Sequence, residues 1–504
     1  MTRLLLVAAA LVVVLAAGVV SGAGAEWDVY PGAGTPIQDA VDGAGEGDSI
    51  YVHAGTYIEN VNVDKRLTLI GEGADVVTVR AADAGDHVFE VTADWVNISG
   101  FTVTGATDDW TAGIHLYNAD HCSVSENNVS NNRDGVHMGC YSNNNTLQNN
   151  TADSNDYGIC IDDSSNNTLQ SNTMSGNTYN FDVSSHSLSH YIQNIDANNT
   201  VDGKSIYYWV DQQDKQIPDD AGMVGVVNST NITVKDLTLT NNTQGVLFVY
   251  TGNSRIENVT TSDNRDSIYL WYSNNNTLTS NTASNNSRGI YLWYSNNNML
   301  SDNTANSNNY GGIFLVHSSS STLTSNTASD NNLGICLYTS CNNSTLENNN
   351  ALYNEFGILL DSSSSNNTLY HNNLINNAYD NAYDYSGTNQ WDSGSVGNYY
   401  SDYNGTDPDG DGIGNDPYPI PGGESVDRFP LMHPWTGGTL LKGDLNRDGI
   451  LTPADAVIAL CLAAGGSASC DATTLAAADV SGDNRVTSLD ALMILQAATA
   501  ARDV

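Results

Sequence analysis

A unit of 22 or 23 residues recurs along most of this chain, and nothing else in the sequence restricts its fold as severely. Copies begin at Gly113, Gly135, Gly158 and Asn180, then after an interruption at Gly245, Ser267, Gly289, Gly312, Gly334 and Gly357. The copy Gly289–Asn309 is the clearest. Ile290 and Leu292 alternate with Tyr291 and Trp293, the period-two pattern of a strand with one face buried. A run of Asn and Ser follows, which favours a turn. A short Thr-Leu strand comes next, and its Leu recurs at 147, 169, 278, 300, 323, 346 and 369. Three residues further on, Asn recurs at 150, 172, 281, 303, 326, 349 and 372. Stacked Asn side chains bond one another up a column and satisfy their own amides. A small apolar residue then points inward, as at Ala152, Ala283, Ala305, Ala328 and Ala351. A helix does not fit in such a unit, and the leucine-rich pattern LxxLxLxxN is missing. Three short parallel strands per turn predict an all-β chain coiled as a right-handed parallel β-helix.

The chain's 504 residues are enough for several domains, with 57 acidic residues against 16 basic ones and a net charge of −41. Phosphate backbones require clustered Lys and Arg, so nucleic acid is not the expected partner. An acidic surface suits solubility in a salty medium or cation binding. Arg3, the apolar run Leu4–Val20 and the small residues Ser21–Ala25 have the layout of a secretory signal, assigned to residues 1–25. No second apolar run of spanning length follows, so the mature chain is expected outside the cell. Cys461 and Cys470, close in sequence around a Gly-Gly, are the expected disulfide pair, and Cys160 and Cys336 occupy the same place in their copies.

Residues 26–90 stand outside the repeat. Ile37–Val41 has a helical pattern suited to covering the bare edge of the first rung. The Gly55-Thr-Tyr57 and Glu59-Asn60 element resembles the N-terminal cap of pectin-lyase-like β-helices, including pectin methylesterases and NosD-type surface proteins. The repeats occupy residues 91–392, with an elaboration at 184–241 that reads as an enlarged rung with a protruding hairpin. That elaboration, above all Val201-Asp-Gly-Lys204 and Tyr207-Tyr-Trp-Val210, resembles archaeal NosD-like proteins, also described as carbohydrate-binding and sugar-hydrolase (CASH) domains. The resemblance implies a surface or periplasmic β-helix. NosD itself is associated with copper-site maturation, and no ligand motif of the family carries over to positions here. Residues 393–440 resemble the C-terminal part of NosD-like chains.

Within that last stretch Asp407, Asp409 and Asp411 alternate and Gly412 follows, a spacing of oxygen ligands that suits Ca2+. Tyr418 stands where an EF-hand carries its twelfth-position Glu, so an acidic turn without an ion is the alternative. The sharpest motif lies in residues 441–504. Asp444, Asn446, Asp448, Thr452 and Asp455 fall at calcium-loop positions one, three, five, nine and twelve, with the Ile450 carbonyl at seven. The pattern returns 35 residues later as Asp479, Ser481, Asp483, Arg485, Thr487 and Asp490, and each loop leads into one short helix. Two such loops resemble a dockerin, which implies calcium as the cofactor and a cohesin domain as the partner. Pro453-Ala454 and Ser488-Leu489 hold the positions where dockerins often contact cohesin.

Chemistry on the coil is less determined. The copies contain only Arg133, Arg255, Arg265 and Arg288 as basic residues, without an aligned Asp pair beside them. Asp134, Asp162, Asp163 and Asp182 lie on neighbouring rungs and offer a hydrolase's carboxylate pair, or are solvated turn acids. One outward column reads His115, His137, Cys160, Asp182; members about 4.8 Å apart suit a shared Zn2+ or copper ion, with surface coincidence as the alternative. A second outward set, Tyr269, Trp271, Tyr291 and Trp293, offers flat rings for sugar stacking or a ladder that stabilises the sheet. The combined expectation is a secreted β-helix surface protein that binds polysaccharide and assembles on a cohesin through a calcium-dependent dockerin. A CASH-type glycan-degrading hydrolase or lyase and a NosD-like metal-handling protein are the alternatives.

Overall fold

The computed structural model describes residues 24–408, 410–436, 442–445, 451–464, 475, 477–483 and 485–500. The signal segment through residue 23, together with Asp409, Asn446, Asp448, Ile450 and Cys470, lies outside them. Helix α1, Pro36–Gly43, covers the first rung as expected, with Ile37 and Val41 fully buried against it. Its free N-terminal amides are met by the buried Glu59, whose carboxylate accepts the amides of Ile37 at 3.2 Å and Gln38 at 2.8 Å. A carboxylate is favoured at that end of a helix.

Three strands per turn then stack in parallel, and the expected columns form. Leu278, Leu300, Leu323, Leu346 and Leu369 pair in register and are fully buried. The Asn column is a continuous hydrogen-bonded ladder. Asn303 donates from Nδ2 to Leu278 O and Asn326 Oδ1, both at 2.9 Å. Two more ladders, unnoticed in the sequence, occupy other corners. One runs Asn264, Asn286, Asn308, Asn331, Asn354, and another links Asn276 to Asn298 and, further along, Asn367 to Asn389. The repeated Gly opens its strand because a Cβ on Gly289 would lie 2.4 Å from the Gly312 carbonyl of the next rung.

The elaboration at 184–241 departs from expectation. It is not a protruding hairpin on one coil but the junction between two. One sheet of 16 strands runs through both coils. Its pairing is parallel throughout except where Thr200–Val201 meets Lys204–Val210, which is antiparallel. Parallel crossovers keep one hand, so reversing strand direction moves the enclosed lumen to the opposite face of the sheet. The cores obey this. Trp209 pairs with Val226, then Phe248, Leu270 and Leu292, and this row faces the second lumen. The alternate row, Tyr208, Leu247, Tyr269, Tyr291, Phe314 and Cys336, belongs to the core of the first coil. The exposed edge of strand Tyr179–Ser184, which ends the first coil, is closed by the second: the Asn180 amide donates to Asn241 O and the Thr243 amide to Phe181 O. Among the described residues, no helix is long and apolar enough to cross a membrane.

Candidate functional site

Among the described residues of the C-terminal segment, helices α2 (Pro453–Ala463) and α3 (Ser488–Ala500) each follow one acidic loop. The two loops repeat one geometry. Buried Asp455 accepts the Leu445 and Thr452 amides at 2.8 Å each and the Thr452 hydroxyl at 2.9 Å. Asp490 accepts the Ser481 and Thr487 amides at 2.8 Å each and the Thr487 hydroxyl at 3.1 Å. Burial raises the Asp490 pKa, but these donors outweigh it and hold it near 2. Asp479 gathers the Gly482 and Asp483 amides on one oxygen, at 2.8 and 3.0 Å. These bonds wrap the loop backbone around its acidic side chains, and the residue types at these positions supply the hard oxygen donors that Ca2+ takes. Asp444 is buried beside the first loop. In the preceding segment Asp407 likewise accepts the amides of Gly410 and Gly412, at 2.8 and 3.0 Å, and Asp411 that of Ile413 at 2.9 Å.

Of the expected disulfide pair, Cys461 is exposed, and Cys470 lies outside the described residues.

On the first coil a cleft of about 330 Å3 opens where the two coils meet. Trp110, Arg133, Asp134, His137, Tyr157, Asp162, Asp182 and Arg265 line it. Arg residues of the copies have individual acidic partners. Arg133 pairs with buried Asp134 at 2.7 Å, and Arg288 grips Asp266 with Nε and Nη2. Arg265 comes from the second coil and lies close to Asp182 and Tyr157 of the first. Asp182 also takes Gln244 Nε2 at 3.0 Å, a bond between residues 62 apart. Burial raises the pKa of Asp182, opposed by Arg265. Asp162 is raised by burial and by the neighbouring Asp163. Ser184 Oγ donates to Asp182 at 3.1 Å and reaches Asp162 at 3.5 Å. Trp110 forms the rim, 82% exposed, with the Arg133 guanidinium 5.3 Å from its ring.

The column His115, His137, Cys160, Asp182 is in register as expected, but its four members do not act as one set. Cys160 and Asp182 are buried, and burial pushes the Cys160 thiol up. His115 instead gathers with His87 and Glu90, the three bringing one ligand atom each to within 4.8 Å of one another. Burial, and then the neighbouring His87 and His137, lower the His115 pKa to about 3. Glu90 precedes His115 in the same column but sits in a less regular rung, so the repeat did not point to it.

The aromatic set also differs from expectation. Tyr269, Trp271 and Tyr291 are at most 8% exposed, and Trp293 is half-buried. They are outside the second lumen, as read, but the end of the first coil covers them: Trp271 packs on Tyr191 at 5.1 Å and Trp293 on His186 at 5.9 Å. No ring face of Trp271 is offered to a sugar. A ladder missed in the sequence lies beside them, Tyr250, Tyr272, Tyr294 and His317, stacked 5.0, 4.7 and 4.3 Å apart. Its interior faces are taken up by one another.

The family model described as "Periplasmic copper-binding protein (NosD)" matches residues 41–219 and 197–405, and the "Dockerin type I domain" model matches residues 442–497. Type I dockerin domains bind calcium. A cell surface glycoprotein of Methanothermus fervidus is 29% identical over 99 residues, which are 19% of this chain and only 16% of that protein's length. Two solved structures are similar at low identity. The A-module of the Azotobacter vinelandii mannuronan C-5 epimerase AlgE4 is 14% identical, with 66% of this chain and 93% of that one covered and a TM-score of 0.31. The catalytic domain of a GH87 alpha-1,3-glucanase is 15% identical, with 68% and 67% covered and a TM-score of 0.35. Likeness at this level says nothing about activity or substrate.

Proposed function

Given that the chain belongs to the NosD family and carries a type I dockerin domain, we propose that it is a surface-displayed β-helix that holds glycan in the cleft between its coils and docks onto a cohesin through calcium-loaded loops. The observation that carries this reading is the repeated geometry of Asp455 and Asp490, each knitting its loop to the start of its helix. The apolar side chains that α2 and α3 leave exposed support a docking face: Val457 at 59%, Leu460 at 49%, Leu489 at 52% and Leu492 at 50%. Of the positions expected to meet cohesin, Leu489 belongs to this face. The signal-like N-terminus and the surface-glycoprotein relative support display outside the cell.

For glycan the support is chemical. Trp110 presents a flat ring, and Arg133, Asp162 and His137 present polar groups beside it. Sugar sites combine these two features, an apolar face and a few converging donors and acceptors. The buried Tyr269, Trp271 and Tyr291 are not part of this site. Two measurements test the proposal. The full chain should be captured by immobilised type I cohesin with calcium and released by chelator, and capture indifferent to chelator would overturn the docking half. On a polysaccharide array, Trp110→Ala should weaken binding about fivefold while leaving the melting curve unchanged, since one ring contributes on the order of 1 kcal/mol. No binding by the parent chain, or equal binding by the folded variant, would remove the glycan half.

A further inference from the structure

One corner of the coils carries a column of turn tips set in the left-handed backbone region, just before the Thr-Leu strand of each rung. In five rungs the tip is an exposed Asn, a residue that tolerates this region: Asn144, Asn166, Asn275, Asn343 and Asn366, with φ between 55° and 59°. A Thr stands two residues on in every case, which makes each tip the start of an acceptor triplet for N-linked oligosaccharide.

The three positions of the triplet have separate places in the fold. The middle residue is a buried ladder member. Asn276 is 1% exposed and its amide donates to Asn298 Oδ1 at 2.8 Å, and the Ser344 amide donates to Asn367 Oδ1 at 2.8 Å. The Thr opens a strand and is half-buried. The tip Asn is held through its backbone: the Asn275 amide donates to Asn296 O at 3.1 Å and the Asn343 amide to Ser365 O at 3.2 Å. Among the described residues, none of the five tip side chains takes part in a hydrogen bond. A saccharide on Nδ2 at these tips therefore displaces no contact of the coil.

Other acceptor triplets differ. The side-chain amides of Asn231 and Asn258 are tied to Asp214 and Asp236 at 2.7 and 2.8 Å. Asn342 is the sharpest contrast, because Asn342-Asn-Ser344 overlaps Asn343-Ser-Thr345. Asn342 is half-buried, and its Oδ1 accepts the Ser365 amide at 2.8 Å and the Ser365 hydroxyl at 2.9 Å. Its Nδ2 donates back to Ser340 O at 3.2 Å. The fold does not itself require the triplet. Asn253, Asn297 and Ser320 hold the same left-handed turn in neighbouring rungs, with Arg255 and Met299 where the Thr would stand and Ser320 in place of the Asn.

We infer that Asn144, Asn166, Asn275, Asn343 and Asn366 are attachment sites for N-linked oligosaccharide, carried along one corner of the coils. In the transfer, Nδ2 forms a bond to C1 of a lipid-phosphate-linked oligosaccharide. The C1–O bond to phosphate breaks, the phosphate leaves with the electron pair, and Nδ2 gives up one proton. The inference rests on the display outside the cell proposed above, and not on glycan binding in the cleft.

The full chain is recovered from the external fraction of its own cells, digested, and read by mass spectrometry with electron-transfer fragmentation. The same chain made in a bacterial cytoplasm supplies the unmodified masses. Peptides holding Asn275 and Asn343 should be shifted by a saccharide mass located on those residues, with Asn342 bare. Asn343→Ser, a change the turn accepts at Ser320, and Thr345→Val, close in shape to Thr, should each lose the saccharide of that peptide, although the Asn342 triplet survives in both. Asn342→Gln should keep it. Melting curves establish that each variant is folded. An external chain with all five tips bare, or with saccharide on Asn342 in place of Asn343, would overturn the inference. A chain absent from the external fraction would overturn the display on which it rests, and the inference with it.

Discussion

The Asn ladder can be tested by replacing one member with a residue of nearly the same size. Asn303 is 1% exposed, in the middle of the second coil. Its Oδ1 accepts the Asn281 backbone amide at 3.1 Å and Asn281 Nδ2 at 2.9 Å, and its Nδ2 donates to Leu278 O and Asn326 Oδ1. Asn303→Leu removes all four bonds. Asn326 Oδ1 keeps the Asn303 backbone amide, so it is not orphaned. The Asn281 amide and one hydrogen of its side chain are left buried without an acceptor. Each such donor costs about 1–3 kcal/mol, and the gain from burying the Leu side chain, about 1.5–3 kcal/mol, offsets part of that. The net expectation is a loss of about 2–3 kcal/mol, similar to a Leu300→Ala cavity in the adjoining column. Met299→Ala on the exposed side of the same strand should change stability by less than about 0.5 kcal/mol. Urea unfolding followed by circular dichroism measures the losses. Stacked rungs open partly independently, so hydrogen exchange of the Asn281 amide gives the local value. An Asn303→Leu chain as stable as the Met299→Ala control would refute the reasoning, because the ladder would then contribute no more than an exposed side chain.

Three further outcomes are expected. The segment Gly443–Ala501 should gain helix only with calcium, because its loops gather repelling carboxylates and its helices are short; Asp444→Ala with Asp479→Ala should abolish that gain, and identical dichroism spectra with calcium and with chelator would refute it. Asp427 is raised by burial to about 7, above the ordinary value near 3.9, so the folded coil holds an extra proton between those values. The stability that proton supplies is complete below about pH 4 and is lost as pH rises through about 7; Tm should fall between pH 5 and pH 8 and fall less in Asp427→Asn, and equal slopes would refute the assignment. Trp271→Ala should destabilise the coil junction by about 3–5 kcal/mol, as for a buried Trp, with glycan affinity of the surviving folded fraction unchanged; a stable variant with weakened glycan binding would return Trp271 to the binding site.

The elements legible in the sequence are those whose cause is local or periodic. The Leu column, the first Asn ladder and the two calcium loops each repeat at a fixed spacing, and α1 follows from Ile37–Val41. Glu59 belongs to a recognisable cap element, but its grip on the α1 amides is visible only once the chain has turned back on itself. The junction was missed for a definite reason. Period-two alternation says that one face of a strand differs from the other, not which of them encloses a lumen. Reversal at Val201–Lys204 exchanges the two, and residues read as exposed became the core of the neighbouring coil. The cleft depends on the same event. Arg265 and Gln244 reach Asp182 across the junction, and no repeat register places them together.

The second coil also measures distance. One of its sheets has eight strands in unbroken order from Gln213–Gln216 to Thr368–Tyr370. At about 4.8 Å per step, that stack sets the far end of the coil roughly 34 Å from the junction. Inserting or deleting one 22- or 23-residue unit changes this separation by a single step, without touching α1, the reversal, the cleft or the closing segment. Rung number is therefore a ruler, by which a lineage can lengthen or shorten the reach of the cleft beyond its anchorage while every contact at either end stays the same.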